Sequence, residues 1–118
     1  MATKPTKILL KKFAKTIEIS FDDGKVFILP AELLRVESPS AEVQGHSTNQ
    51  KKVIFGRREV KILKVEPVGN YAIRIFFDDL HDTGIFSWKY LYTLGIEKEA
   101  RWNSYLKILE LKGLSRDP

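Results

Sequence analysis

The residues Thr16-Ile17-Glu18-Ile19-Ser20-Phe21 alternate strictly between polar and apolar side chains. Successive strand side chains point to opposite faces, so Ile17, Ile19 and Phe21 share one side of a half-buried strand. Asp22-Asp23-Gly24 follows, and glycine takes the positive φ of a tight hairpin at little cost. Lys25 to Leu29 then reads as the returning strand, with an earlier one over Lys7 to Lys12 carrying Ile8, Leu9 and Leu10. A chain that opens this way is committed to a three-stranded antiparallel unit. A second hairpin is expected from Val60 to Val65 and Tyr71 to Phe77, joined by Pro67-Val68-Gly69-Asn70. Tyr71, Ile73, Ile75 and Phe77 share one face of its second strand, and Arg74 and Phe76 the other. Large side chains on both faces predict a central strand.

Helical signals lie between and after these strands. Pro30-Ala31-Glu32-Leu33-Leu34-Arg35 reads as a short helix opened by proline. Ser87 is placed to cap a helix over Trp88 to Leu94, stopped at Gly95. Glu97 to Leu111 is the longest periodic segment, with Trp102, Tyr105, Leu106 and Leu109 along one stripe and Gly113 at its end. Ser38 to Asn49 is polar and aperiodic, and reads as a loop. Strands first and a helical pair last predict an α+β fold: an antiparallel β-sheet with short helices and a C-terminal helical pair packed on one face. With 118 residues the chain is expected to be a single domain over residues 7–113. Residues 1–6 are expected to be flexible and 114–118 to fray.

Composition closes off much chemistry. There are no cysteines, which removes disulfides, thiolate metal sites and cysteine nucleophiles together. The two histidines are His46 and His81. His81 stands beside Asp82, but neighbours on a strand face opposite ways, and no Gly-x-Ser-x-Gly elbow exists for a serine nucleophile. The His-x-Asp or His-x-Glu spacing of a non-haem iron site fails at both histidines. Phosphate-loop and dinucleotide fingerprints are absent. Asp22-Asp23 and Asp78-Asp79 fit turns better than acid–base pairs. The expectation is therefore a non-enzymatic protein without a cofactor. No apolar run is long enough to span a membrane, and the N-terminus lacks the apolar stretch of a secretory leader, so a cytoplasmic location is expected.

Two features point to binding. The polar run His81-Asp82-Thr83-Gly84 leaves a strand and enters the helix that Ser87 caps. It is read as a recognition surface formed by His81, Asp82, Thr83 and Gly84, with Trp88 as the packing anchor behind it. The formal charge of +5 is the second feature. Lys51, Lys52, Arg57, Arg58 and Lys61 form a basic cluster suited to a polyanion, giving nucleic-acid binding as the alternative function. The aromatic and glycine signatures of the common RNA modules are missing.

Taken in order, Ser20-Phe21-Asp22-Asp23-Gly24, Pro30-Ala31-Glu32-Leu33-Leu34-Arg35, Glu66-Pro67-Val68-Gly69-Asn70-Tyr71-Ala72 and His81-Asp82-Thr83-Gly84-Ile85-Phe86-Ser87-Trp88-Lys89-Tyr90-Leu91 resemble the gamma-butyrobetaine hydroxylase-like N-terminal domain family. The likeness runs from about Lys7 to the C-terminus. In the gamma-butyrobetaine and trimethyllysine hydroxylases such a domain precedes an oxygenase domain, and related domains are fused to P-loop iron–sulfur carrier ATPases. The resemblance therefore implies an accessory domain standing without its enzyme. Its implied partner is a protein, such as an iron–sulfur carrier ATPase or an iron enzyme, and its implied state is a monomer or weak dimer. The family's zinc ligands, three cysteines and a histidine, fall on Ser38, Ser40, Val43 and His81. Hydroxyls and a valine side chain are poor replacements for thiolates, so zinc binding is not expected to carry over.

Overall fold

The computed structural model describes residues 3–44 and 51–118. His46 and the second half of the expected loop lie outside them. Strands β1 (Pro5–Lys11), β2 (Thr16–Phe21) and β3 (Val26–Pro30) form one antiparallel sheet in sequence order. Helices α1 (Ala31–Val36) and α2 (Ala41–Gln44) follow. Strands β4 (Ile62–Val68), β5 (Ala72–Phe77) and β6 (Ile85–Ser87) form a second antiparallel sheet with β5 central. Helices α3 (Trp88–Ile96) and α4 (Lys98–Lys112) complete an α+β fold.

In the first sheet the rows Ile8–Ile19–Phe27 and Leu10–Ile17–Leu29 face inward, while Leu9–Glu18–Ile28 faces out. The second sheet adds Ile62, Ile73, Ile75, Phe77 and Phe86 to the same core, which Leu33, Leu34, Leu91 and Leu94 close. On α4, Tyr105 and Leu109 pack on Val36 with Val53 and Ile54. All six residues of α1 are buried, Glu32 and Arg35 included. Each charge at this helix meets a distant partner. Glu32 takes a two-pronged bond from Arg116 at 2.7 and 2.9 Å, Arg35 pairs with Asp79 at 2.7 Å, and Glu37 pairs with Arg101 at 2.8 Å.

Several boundaries differ from the expectations. The strands split into two sheets rather than one. β1 begins at Pro5, inside the stretch expected to be flexible. β4 runs through Pro67 and Val68, which a strand at the sheet edge accommodates because proline's missing donor faces away from the ladder. The turn therefore falls at Gly69-Asn70-Tyr71, and Tyr71 is exposed instead of joining Ile73 in the core. α2 occupies part of the expected loop. Ser87 caps α3 as expected, its hydroxyl accepting from Tyr90 N at 3.1 Å. The helix does not stop at Gly95, where a Cβ would overlap the Phe27 ring; the glycine gives close passage to β3 and not a terminus. α4 ends at Gly113, in the left-handed region at φ 65°. The expected frayed tail is held: Gly56 N and Arg58 N donate to Ser115 O and Arg116 O at 2.9 Å. Among the described residues, no helix is long and apolar enough to cross a membrane.

Candidate functional site

After Phe77 the chain turns through Asp78-Asp79-Leu80, with Leu80 in the left-handed region at φ 71°. The Asp79 carboxylate accepts the His81 N–H at 3.2 Å, and Phe77 N donates to His81 O at 3.0 Å. This closed turn carries His81 inward, where it is 4% exposed. Its Nε2 lies 2.9 Å from Ser38 Oγ and 3.3 Å from Ser40 Oγ, and the two hydroxyls are 3.4 Å apart. Gly84 closes the cluster from the other side, since a Cβ there would collide with Ser38 Oγ. Gln44 Nε2 donates to Ser38 O at 2.9 Å and fixes the α1–α2 segment.

Asp79 is the keystone of the turn. Arg35 and Arg57 both donate to its Oδ2 at 2.7 Å. Burial pushes its carboxyl upward, but the Arg35 guanidinium, the His81 N–H and Arg57 together outweigh that and hold it below the usual carboxylate range.

The expected recognition surface is not continuous. His81 and Gly84 are buried, Asp82 is half-buried and Thr83 is exposed. Asp82 O accepts from Arg74 Nε at 2.5 Å. Trp88 does not stand behind His81. Phe77 bonds His81 at one end of β5, while Tyr71 O accepts from Trp88 N at the other. The residues between them, at about 3.3 Å of rise each, put the two about 20 Å apart. The indole Nε1 donates to Asn70 O at 2.8 Å.

The basic cluster is largely paired. Lys51 binds Glu37 at 3.1 Å, Arg57 binds Asp79, and Arg58 binds Asp117 at 2.7 Å. Lys52 and Lys61 are exposed, with no ion-pair partner among the described residues.

The Ser38–His81 distance matches a nucleophile and its base. Ser38 is wholly buried, however, so no substrate reaches its hydroxyl. As a zinc centre the residues do not fit either. Two neutral hydroxyls and the buried Val43, which offers no donor, stand where thiolates would be needed, and His81 alone is an ordinary zinc ligand. Among the described residues, no three His, Cys, Asp or Glu side chains converge to hold a metal. The arrangement instead cross-links the segment after α1 to the turn between β5 and β6. Reading residues along the chain did not join Ser38 to His81, which are 43 positions apart; only the resemblance put both in one set. The Arg35–Asp79–Arg57 network left no local signal, because its members pair across the fold.

The profile of the gamma-butyrobetaine hydroxylase-like N-terminal family matches residues 8–92. The chain belongs to this family. A protein solved in solution by NMR shares 44% identity, with a TM-score of 0.88 over 100% of this chain and 93% of its own. A second NMR structure shares 45% identity, with a TM-score of 0.85 over 99% and 87%. A crystal structure of a protein of unknown function from Acidithiobacillus ferrooxidans ATCC 23270, assigned to the DUF971 family, shares 35% identity. Its TM-score is 0.67 over 78% of this chain and 92% of its own. No curated protein matches the chain.

Proposed function

We propose that this family member is a non-enzymatic accessory module that acts by binding a protein partner. The observation that carries the reading is the fate of His81. The side chain best suited to chemistry is used inside the fold, on Ser38 and Ser40, as a tie between two chain segments. That leaves recognition to the outer surface. The family resemblance suggests an iron–sulfur carrier ATPase or an iron-dependent enzyme as partner. Any cluster or iron chemistry would then belong to the partner, because this chain has no cysteine to ligate a cluster.

Sedimentation of the purified chain with a purified P-loop iron–sulfur carrier ATPase, and separately with an iron-dependent oxygenase, tests the reading. A stoichiometric complex with one of them is expected. Free sedimentation in both mixtures would refute the partner class. The polyanion reading now rests on Lys52 and Lys61, since the other members of the basic cluster are ion-paired. Steeply salt-sensitive binding to RNA or DNA that Lys52→Glu with Lys61→Glu abolishes would revive it.

A further inference from the structure

An open groove of about 680 Å³ lies where the chain entering β1 approaches the junction of β6 and α3. Tyr71, Trp88 and Tyr92 supply its aromatic walls, and Lys4 and Lys89 stand in its lining. Two of the three rings are clamped. The Trp88 indole is tied to Asn70 O, and the Tyr92 hydroxyl donates to Asp23 Oδ2 at 2.6 Å while its ring meets Phe21 and Phe27 edge-on. Rings held this way lose little freedom when a ligand lands on them, and Trp and Tyr are the side chains that dominate binding energy at interfaces. The charge leans positive: two lysines stand in the lining, against the Asp23 carboxylate that holds the Tyr92 hydroxyl at the rim. No carboxylate lines the groove, and neither lysine has an ion-pair partner among the described residues. The groove meets the chain just ahead of β1, at Thr3 and Lys4, and the last residue of β6, Ser87.

We propose that this groove is the docking site for an extended, acidic peptide segment of the partner protein. The inference rests on the protein-binding reading above and adds the place and the chemistry. Aromatic walls receive an extended backbone, as in grooves that bind polyproline-like segments, and the two lysines select acidic side chains. A single-stranded nucleic acid would also stack on aromatic rings, but it needs a row of cations following its phosphates, and this groove offers a pair.

Selection of a displayed random-peptide library against the protein tests the proposal, followed by amide-resolved NMR titration with the enriched peptides. Enriched sequences are expected to be acidic, and to shift the amides of Tyr71, Lys89, Tyr92 and Thr93 together with the Trp88 indole. Lys89→Glu should weaken them about fivefold or more, and lysine placed in the peptide should restore binding to that variant. Tyr71→Ala, at an exposed ring, should weaken them while leaving the rest of the spectrum unchanged. Enriched peptides that are neutral or basic, or whose shifts fall on α4, would overturn the groove and leave the module reading standing. If no peptide is enriched and oligothymidylate shifts the groove resonances instead, both readings fall.

Discussion

Asp79→Asn is the sharpest perturbation of the site. Asparagine keeps the shape, and its amide oxygen still accepts the His81 N–H, but it removes the charge facing Arg35 and Arg57. The Arg35 side chain is 9% exposed, so its guanidinium is left buried and uncompensated. Breaking a buried pair by removing one partner costs about 3–5 kcal/mol. Arg57 can swing to water, since its side chain is 33% exposed, so the lower end applies, about 3 kcal/mol. Against a total stability of about 5–15 kcal/mol this is a large fraction. It corresponds to a fall in Tm of about 12 °C for a domain of this size.

Urea unfolding at neutral pH measures the loss, and repeating it in an Arg35→Met background isolates the pair. There the same substitution should cost about 1 kcal/mol, because no buried cation remains to be orphaned. The pH dependence has a definite sign. The native carboxyl of Asp79 is depressed, so its contribution is present above the unfolded-state carboxylate pKa. It is lost as pH falls through the native value. The gap between wild type and Asp79→Asn should therefore narrow in acid below about pH 4. A loss under about 1 kcal/mol, or an equal loss with and without Arg35, would refute the account.

Further outcomes follow from other contacts. Ser38→Ala removes a wholly buried hydroxyl from His81 and should cost about 1–3 kcal/mol by urea unfolding; zinc or a chelator should leave the Tm of the wild type unchanged. Burial and then the charge of Glu37 push the Tyr90 phenol up to about 12, and burial and then Glu32 do the same for Tyr105. Ultraviolet titration should show both ionising late, and the stability they contribute, intact below pH 10, should be lost as pH rises through about 12. Gly95→Ala gains about 1 kcal/mol of helix propensity but drives a methyl into Phe27, a clash of about 1–3 kcal/mol, so a lower Tm is expected. Ser87→Ala should cost about 1 kcal/mol through loss of the α3 cap, read by thermal unfolding.

What could be read along the chain depended on whether a residue's role is local. The β2–β3 hairpin was legible because alternation and the turn at Gly24, φ 89°, lie in neighbouring residues. The Ser87 cap and the Gly113 terminus are equally local. β6 gives no signal along the chain because Ile85-Phe86-Ser87 is too short to show a period, and only its pairing with β5 makes it a strand. Gly95 is ambiguous along the chain for a related reason. A glycine that ends a helix and one that admits a neighbour look alike until Phe27 is in place. His81 stood out as a candidate, but its burial depends on Ser38 and Ser40 arriving from the other sheet's side of the sequence. Nothing local shows that α1 is buried on every side, because Arg116, Asp79 and Arg101 satisfy the charges at this helix from far down the chain.

The long-range pairing at α1 bears on synthesis. Helix α1 emerges early, yet the partners of the buried Arg35 and Glu32 follow 44 and 84 residues later. A growing chain that has made α1 cannot yet bury it, since its charges would enter the core alone. The N-terminal sheet must therefore wait with one apolar flank uncovered until Arg116 has been added. Order of translation, as much as final stability, decides how long that flank is open to aggregation.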